Sequence, residues 1–251
     1  MKRARIVLDN VTYDAIGVAG GLQLPDGRIV GEDQVRWLPP LKFGAIFALG
    51  LNYADHAKEL AFKAPDEPLV FLKGPNALIG HRQQTCRPAD VAYMHYECEL
   101  AVVIGQQCKH VSKEKAYEVI AGYTVANDYA LRDYLENYYR PNLRVKNRDA
   151  TTPIGPWLVD AADVPDPMNL RLRTWVNGAL TQDGNTRDMV FDIPTLVAYL
   201  SSFMTLNPGD VILTGTPEGL ADTRVGDEVI TEIEHLGRLQ NTIVGGKADV
   251  L

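Results

Sequence analysis

Residues 93–105 read Y-M-H-Y-E-C-E-L-A-V-V-I-G, a β-rich run in which two carboxylates stand directly ahead of a wholly apolar segment. Glu97 and Glu99 are two residues apart, and because side chains alternate along a strand, both would project from one face. Two like charges on one face of a half-buried strand either point into water or share a metal ion. The apolar run from Leu100 to Ile104 indicates that the strand continues into a core. A solvated acidic face and a metal site are both open interpretations at this point.

The composition is that of a globular protein. The chain has 251 residues, of which 46% are hydrophobic and 23% charged. Its formal net charge of −7 argues against nucleic acid or an anionic membrane as the main partner. No stretch reaches the ~20 apolar residues of a membrane helix, so we expect a cytoplasmic protein. The three cysteines lack CxxC spacing and paired histidines, which predicts reduced thiols rather than disulfides or a zinc site.

Short strands and turns alternate over most of the chain, which predicts an α+β fold, mainly β, of mixed or antiparallel architecture. Leu38-Pro39-Pro40 indicates a boundary, so we expect a small N-terminal β appendage at residues 1–42 and a catalytic domain at residues 43–251. Asn177-Gly178, between two β segments, predicts a tight hairpin. The main strands expected in the catalytic part are residues 43–49, 68–73, 123–127, 170–176, 179–182, 211–213, 228–234 and 238–244.

Helices are predicted in four places, which are residues 53–62, 112–120, 130–139 and a segment that begins at Asp192. Asn52 fits an N-cap for the first helix. Pro141 would end the third, which is rich in aromatic residues. The fourth has Pro194 in its first turn and a one-sided apolar stripe, so we expect it to pack on a core.

A third carboxylate, Asp128, follows the predicted strand 123–127 and could meet Glu97 and Glu99. Carboxylate oxygens suit a hard divalent cation such as Mg²⁺, Mn²⁺ or Ca²⁺ and do not suit zinc. Three protein ligands would leave half of an octahedron open for a bidentate substrate such as a 2-oxo acid or its enol. His56 and Glu59 are spaced i, i+3 and could act as a general acid/base with its orienting partner, or could lie on an exposed helix face.

The segment 141–156 is basic and irregular, and loops on a rigid scaffold often carry chemistry. With Lys73 and Arg132, its cations could bind a substrate that has several carboxylates. Between residues 140 and 148 the basic residues are Arg140, Arg144, Lys146 and Arg148, and we expect Arg140 and Arg144 to be solvated. His95 stands two residues before Glu97, and we expect it to hydrogen-bond a loop rather than to ligate a metal. Three further histidines near turns are expected to face solvent: His81, His110 and His235.

Three long, ordered stretches carry a family resemblance: Y-E-C-E-L-A-V-V-I-G at 96–105, G-Y-T-V-A-N-D at 122–128 and N-P-G-D-V-I-L-T-G-T-P-E-G-L at 207–220. They resemble the fumarylacetoacetate hydrolase superfamily, and the similarity covers about residues 43–245. The resemblance implies a mixed β-sandwich-like roll of the C-terminal domain type with a few short helices. It implies a metal held by Glu97, Glu99 and Asp128, and a His56–Glu59 dyad on a mobile lid. The substrate contacts that it implies are Lys73, Arg132, Lys146 and Thr216.

Further stretches are similar to one subgroup of that family, the bifunctional isomerase/decarboxylases of bacterial 4-hydroxyphenylacetate (homoprotocatechuate) catabolism. They are M-H-Y-E at 94–97, the run from N-D-Y-A-L-R-D at 127–133 through R-V-K-N-R-D at 144–149, and T-P-I-G-P-W at 152–157. The similarity is specifically to the C-terminal half or second subunit of these enzymes. It implies action on 5-carboxymethyl-2-oxohex-3-enedioate and on 2-hydroxyhepta-2,4-dienedioate, with Mg²⁺ as the cofactor. We therefore assign catalysis to His56, Glu59 and Lys146, and substrate binding also to Arg148.

One departure bears on the activity. Lys146-Asn-Arg148-Asp149 stands where hydrolases of the superfamily usually carry Lys-x-Phe-Asp, which argues against acylpyruvate hydrolysis. An acylpyruvate hydrolase, an oxaloacetate decarboxylase and a catalytically silent partner subunit remain as alternatives. The expected partners are a small di- or tricarboxylate 2-oxo acid and either a second copy of the chain or a sister subunit.

Overall fold

The strand that carries Glu99 lies inside a large mixed sheet. The structure is a computed structural model that describes residues 1–60, 65–135 and 142–246. Within these ranges strands dominate and the helices are short, which confirms the predicted α+β, mainly β class. The strands are β1 Lys2–Leu8, β2 Val11–Val18, β3 Gly21–Gln23, β4 Ile29–Val30, β5 Arg36–Leu38, β6 Ile46–Gly50, β7 Leu69–Lys73, β8 Leu78–Ile79, β9 Gln84–Pro88, β10 Met94–His95, β11 Cys98–Ile104, β12 Ile120–Asn127, β13 Ala130–Leu131, β14 Thr152–Asp160, β15 Arg171–Val176, β16 Ala179–Asn185, β17 Val211–Leu213, β18 Glu228–Ile233 and β19 Gly237–Gly246.

Six of the strands form the path that holds the site: β1, β14, β12, β11, β17 and β6 are neighbours in that order, and β7 lies beyond β6. A second sheet has the order β16-β15-β18-β19-β9, and β10 pairs with β13 alone. Most pairs are antiparallel, but β17 runs parallel to β6, β8 to β14 and β9 to β19. The α-helices are α1 Ala54–Glu59, α2 Leu143–Lys146 and α3 Ile193–Phe203.

β11 is buried along its whole length because both of its faces are covered. Leu100, Val102 and Ile104 belong to the largest core cluster, which also contains the apolar stripe of α3. Ala101 and Val103 belong to a separate cluster on the opposite face. A strand with two buried faces shows a continuous apolar run instead of alternation, which explains the sequence pattern that follows Glu99.

Two local predictions are confirmed by their backbone geometry. Asn177 and Gly178 both have positive φ, 49° and 82°, as a type I′ turn between β15 and β16 requires. α3 begins where predicted, because the side chain of Asp192 accepts a hydrogen bond from the Thr195 backbone N–H at 2.8 Å.

Other predictions of local structure are wrong. The strand predicted at 93–105 is interrupted, because Tyr96 and Glu97 lie between β10 and β11. The helix predicted at 130–139 is β13 followed by a single 3-10 turn over Arg132–Tyr134, and residues 136–139 lie outside the described residues. The basic segment ends in a strand, since β14 begins at Thr152. Arg140 also lies outside the described residues.

Asn52 does not cap α1. The cap position is Tyr53, without a side-chain hydrogen bond, and α1 ends at Glu59, ahead of residues 61–62, which lie outside the described ranges. The Asn52 side chain instead donates to the carbonyls of Phe191 and Thr214 and accepts from the Phe191 N–H. It therefore ties the start of α1 to two distant loops, an arrangement that local sequence rules do not contain.

The N-terminal strands join the main sheet. β1 pairs with β14 through Lys2↔Val159 and Arg3↔Leu158, and β2 and β5 flank it. The division into an appendage and a catalytic domain stays a prediction.

The longest described helix has 11 residues, and none in the described ranges is long and apolar enough to cross a membrane.

His81 is buried, which contradicts the expectation that it faces solvent. Its Nδ1 accepts a hydrogen bond from the Gln240 N–H at 3.0 Å, and its ring packs edge-on against Trp37. Burial and the neighbouring Arg82 charge lower the pKa of His81 to about 4. The folded protein therefore holds this imidazole neutral under mildly acidic conditions.

We expect His81 to make the fold sensitive to acid. Because its pKa is near 6.5 in an unfolded chain and about 4 in the fold, only the unfolded state gains this proton between those pH values. Between pH 7.5 and pH 5 the free energy of unfolding should fall by about 2 kcal/mol more in the wild type than in His81→Asn, which keeps an acceptor for Gln240 but does not titrate. Urea unfolding at both pH values measures this, with His110→Asn as the exposed control. Equal pH dependence in wild type and His81→Asn would contradict it.

Candidate metal centre and active site

Glu97, Glu99 and Asp128 converge where two antiparallel strands meet. Glu97 directly precedes β11, Glu99 lies within it, and Asp128 directly follows β12. Because the register pairs Cys98 with Asn127, the end of β12 lies beside the start of β11. All three side chains are buried, and one oxygen of each lies within 4.8 Å of the others. The structure thus brings together the three carboxylates that the sequence analysis selected.

Backbone groups hold this cluster in place. The Asp128 N–H donates to the Glu97 carbonyl at 2.9 Å, and the Glu97 N–H donates to Asn127 Oδ1 at 2.9 Å. The Gly215 N–H donates to Glu99 Oε2 at 2.8 Å. Gly215 has φ of +89°, and a Cβ there would lie 2.9 Å from Asn52 Cβ, so the close approach of this loop requires glycine.

Two lysines compensate the buried charge. Lys146 Nζ lies 2.7 Å from Glu97 Oε2 and 3.1 Å from Asp128 Oδ2. Lys73, at the end of β7, donates to Asp128 Oδ1 at 2.7 Å and also to the Lys146 carbonyl. Both ammonium groups therefore pair with Glu97 or Asp128, and no ion pair to Glu99 is found among the described residues.

The pKa values of Glu97 and Glu99 are shifted in opposite directions. Burial acts against ionisation of Glu97, but the Lys146 charge and its neighbours outweigh it and lower the pKa of Glu97 to about 2. Burial, followed by the Asp128 and Glu97 charges, raises the pKa of Glu99 well above its usual range. Burial alone would lower the pKa of Lys146, and the Asp128 and Glu97 charges raise it instead. Glu99 is thus the group whose charge is least compensated by the protein.

The donor set fits a hard divalent cation. Glu99 Oε1 is buried and has no hydrogen-bond partner among the described residues, which is costly for a carboxylate oxygen unless a ligand satisfies it. The oxygen-only set suits Mg²⁺, Mn²⁺ or Ca²⁺. Glu97, Glu99 and Asp128 could therefore hold such an ion, whereas His95 is not part of the group.

His56 and Glu59 form a pair on α1. His56 is buried, and its Nδ1 lies 3.2 Å from Glu59 Oε2. The other Glu59 oxygen accepts from the backbone N–H groups of Gly219 and Leu220, each at 3.1 Å. Because the carboxylate accepts at Nδ1, that nitrogen carries the proton and the lone pair is left on Nε2. The loop after β17 therefore orients Glu59, which orients His56.

A cavity adjoins the cluster. Its polar lining combines His56 with Glu97, Arg132, Lys146 and Thr216, and much of the remaining lining is apolar. Arg132 Nη2 lies 3.7 Å from Glu97 Oε1. Such a cavity can hold a small anion between the cations of Arg132 and Lys146 and the candidate metal site. The imidazole of His56 would then lie beside that anion.

Two predicted site residues lie elsewhere. Lys73 is not among the residues that line this cavity, because its side chain is fully buried against Asp128. Arg148 lines a neighbouring surface depression together with Lys73, and its guanidinium lies over the Tyr134 ring, 5.0 Å from the centroid.

Two further residues of the site, Gln182 and His95, have roles that were not predicted from the sequence. Gln182 is buried in β16, and its Nε2 donates to Thr216 Oγ1 at 2.9 Å. His95 is fully buried, and its Nε2 accepts from Arg132 Nε at 2.8 Å. Burial, with the Arg132 and Lys146 charges, lowers the pKa of His95 to about 3. The H-x-E spacing could have pointed to His95, whereas no local signal marks Gln182.

Known proteins with similar sequences place this chain in an enzyme family. The family model described as fumarylacetoacetate (FAA) hydrolase C-terminal matches residues 45–244. The chain belongs to the fumarylacetoacetate hydrolase family. The family resemblance inferred from the motifs at 96–105, 122–128 and 207–220 is thereby confirmed, and this family is one of enzymes.

Two relatives are similar to this chain over most of its length. A 4-hydroxyphenylacetate degradation bifunctional isomerase/decarboxylase of Salmonella dublin is 59% identical over 233 residues, which are 90% of this chain and 54% of the relative. The chain spans about half the length of such curated relatives. The crystal structure of a 5-carboxymethyl-2-hydroxymuconate delta-isomerase from Mycobacterium smegmatis has a TM-score of 0.87 and 38% identity, covering 98% of this chain and 99% of that one.

A third relative was solved with a metal ion. A maleylpyruvate hydrolase from Sphingobium sp. SYK-6, in complex with manganese(II) and pyruvate, has a TM-score of 0.84 and 28% identity and covers 98% of this chain and 100% of that one. The likeness is consistent with a divalent cation at an acidic cluster in this family.

Metal binding should be visible without any substrate. We expect millimolar Mn²⁺ or Mg²⁺ to raise the midpoint of thermal unfolding, because an ion that binds only the folded state at 100 times its Kd stabilises by about 2.7 kcal/mol. Glu99→Gln should abolish this shift, since it removes the carboxylate oxygen that has no protein partner. Glu234→Gln, on an exposed side chain, is the matched control. A shift that survives in Glu99→Gln would place the ion elsewhere.

Proposed function

We propose that the chain is a divalent-metal-dependent decarboxylase and isomerase. Its proposed substrates are 5-carboxymethyl-2-oxohex-3-enedioate, also called 5-oxopent-3-ene-1,2,5-tricarboxylate, and the product dienol 2-hydroxyhepta-2,4-dienedioate. The observation that carries the proposal is the buried cluster of three carboxylates, of which Glu97 lines the same cavity as His56. The isomerase/decarboxylase from Salmonella dublin supports the reaction type.

The proposed metal site is Glu97, Glu99 and Asp128, with Mg²⁺ as the expected ion and Mn²⁺ or Ca²⁺ as alternatives. When bound, the cation would act as a Lewis acid toward the oxygens of a 2-oxo acid. Lys146 lowers the pKa of Glu97 and stands at the cavity wall, where its ammonium group can contact a substrate oxygen. This is the role that we propose for it in catalysis.

Proton transfer is assigned to His56. Decarboxylation breaks one C–C bond, releases CO₂ and leaves the electron pair conjugated with the 2-oxo group as a dienolate, whose oxygen takes up one proton to give the dienol. Isomerisation then moves a proton from the enol oxygen to a distant carbon, which needs a group that can give up and take back a proton. His56 Nε2 meets this need because Glu59 occupies Nδ1 and holds the ring in one orientation. Arg132 and Thr216 would contact the substrate carboxylates.

We expect the purified chain with Mg²⁺ to release CO₂ from the tricarboxylate and to change the ultraviolet absorbance of the dienol. His56→Gln should lower kcat by about 100-fold or more while KM changes little, because a general acid/base contributes about 10² to 10⁴. Stopped assays of CO₂ and absorbance give both constants, with His110→Gln as an exposed control. Absence of turnover in the wild type, or a full kcat in His56→Gln, would refute the assignment.

The same assays discriminate the alternatives. Faster turnover of a small 2-oxo acid such as oxaloacetate would favour an oxaloacetate decarboxylase, and hydrolysis of an acylpyruvate would favour a hydrolase. Hydrolysis is tested because one structural relative is a maleylpyruvate hydrolase. Activity that is lost in Glu97→Ala would exclude a silent partner subunit. Activity that appears only after a sister chain is added would support one.

Assembly and organisation are part of the proposal. Because this chain matches only about half the length of the isomerase/decarboxylases from Salmonella dublin and Escherichia coli, we propose that it works as a homodimer or with a sister subunit of the same fold. The family match begins at residue 45, which supports a separate N-terminal appendage at 1–42 and a catalytic domain at 43–251.

A further inference from the structure

We propose that His95 is a positioning residue that orients Arg132 toward a carboxylate of the substrate. The inference rests on the proposed function for the identity of that substrate. It is carried, however, by a hydrogen bond between two side chains that the metal cluster does not require. Arg132 is half-buried at the cavity wall, and His95 lies fully buried behind it.

The hydrogen-bond partners of His95 determine its tautomer. Arg132 Nε, 2.8 Å from His95 Nε2, can only donate, so Nε2 must be the unprotonated nitrogen. The Tyr96 carbonyl, 3.1 Å from Nδ1, can only accept, so Nδ1 must carry the proton. The two contacts agree on one neutral form of the ring. A neutral imidazole can therefore bind the arginine without adding charge to the site.

The backbone of Arg132 is held to the same element. β10 and β13 pair through Met94↔Leu131 and His95↔Ala130, which places His95 beside the segment that leads into Arg132. The Arg132 N–H donates to the Tyr93 carbonyl at 3.0 Å. The next residue, Asp133, accepts from the N–H groups of Ala92 and Tyr93, each at 2.9 Å. Both the main chain and the guanidinium of Arg132 are thus anchored to residues 92–95.

The consequence is a guanidinium that presents its terminal nitrogens. Since Nε is engaged by His95, the two Nη groups are left as the edge that can bind a carboxylate bidentately. Nη2 stands 3.7 Å from Glu97 Oε1, within ion-pair distance but beyond hydrogen-bond distance, so Arg132 does not spend a hydrogen on this carboxylate. Without His95, we expect Arg132 to close onto Glu97 and to lose its substrate-binding orientation.

The kinetic test compares variants at His95 and Arg132 with one exposed control. His95→Leu should raise KM for the tricarboxylate about 10-fold and change kcat by less than about 3-fold, whereas His95→Gln, whose amide oxygen can replace Nε2 as acceptor, should recover most of the loss. His235→Gln is the matched exposed control. In an Arg132→Met background, His95→Leu should have little further effect. Losses that multiply in the double variant, or no recovery in His95→Gln, would overturn the inference.

A second readout does not depend on turnover. Nitrogen-15 NMR of the wild-type histidine rings should show His95 with a protonated Nδ1 and an unprotonated Nε2. The dissociation constant of propane-1,2,3-tricarboxylate, measured by calorimetry for wild type and His95→Leu, then takes the place of KM. If the wild-type chain does not turn over 5-carboxymethyl-2-oxohex-3-enedioate, only the proposed function is refuted. A protonated Nε2, or equal tricarboxylate affinity in the two proteins, would refute the role of His95.

A different observation carries a second inference: we infer that Gln182 makes Thr216 a hydrogen-bond donor toward the cavity. Gln182 Nε2 donates to the Pro217 carbonyl and to Thr216 Oγ1, both at 2.9 Å. Its Oε1 accepts from the Cys98 N–H at 3.3 Å and from Thr174 Oγ1. Because a carbonyl only accepts and a backbone N–H only donates, these two main-chain groups allow one orientation of the amide.

The orientation of the amide decides what Thr216 can do. Since Nε2 donates to Thr216 Oγ1, the threonine hydroxyl must direct its own hydrogen elsewhere, and no acceptor for it is found among the described residues. Thr216 lines the cavity, so this hydrogen is available to a ligand oxygen. The hydroxyl hydrogen of Thr216 therefore favours an acceptor at this position, such as a carboxylate or a 2-oxo oxygen.

The test uses oxalate as the probe, measured by calorimetry with Mg²⁺ present. Thr216→Val should weaken oxalate binding about 10-fold, and Thr216→Ser, which keeps the donor, should remain within about 3-fold of wild type. Gln182→Glu should weaken it similarly, because a carboxylate would capture the hydroxyl hydrogen, and adding Thr216→Val should then cost little more. Gln23→Glu, in an exposed position, is the control. Equal affinities in Thr216→Val and wild type, or multiplying losses, would overturn the inference.

Discussion

The concentration of negative charge at the junction of β11 and β12 constrains the rest of the structure. Three carboxylates are buried there, and removing such charges from water is strongly unfavourable unless cations and hydrogen bonds compensate them. Lys73 comes from the end of β7, Lys146 from α2, and the Gly215 N–H from the loop after β17. Each of these elements is therefore held in place by the same cluster. The incomplete compensation at Glu99 Oε1 is the feature that an ion would satisfy.

The parts of the site that could be predicted are those encoded within single elements. Glu97 and Glu99 could be placed together because a strand repeats every two residues, and Asp128 could be added because it ends the neighbouring strand. His56 and Glu59 share a helical turn and do contact each other. The hairpin at Asn177-Gly178 and the cap at Asp192 follow equally local rules. In each case the period or the turn chemistry of one element is sufficient.

The contacts that could not be predicted depend on tertiary structure. Gln182 reaches Thr216 across 34 residues of sequence, and Asn52 reaches Phe191 across 139. The segment at 130–139 has helical composition, yet its first residues form β13. They do so because β10 provides a strand partner, and because the buried imidazole of His95 accepts a hydrogen bond from Arg132. Lys73 was assigned to substrate binding from the family resemblance, and the structure shows its ammonium group buried against Asp128. Propensity does not carry information of this kind.

The two positioning contacts give the cavity a consistent polarity. Arg132 can only donate, and Gln182 leaves Thr216 as a donor, so that wall of the cavity offers hydrogens to a ligand. The three carboxylates offer only oxygens and could hold a cation. A ligand that meets both surfaces needs acceptor oxygens for Arg132 and Thr216, and a bound cation would offset the repulsion between its carboxylates and those of the cluster. A 2-oxo acid with additional carboxylates has this distribution of charge, whereas a cationic ligand would be repelled by Arg132.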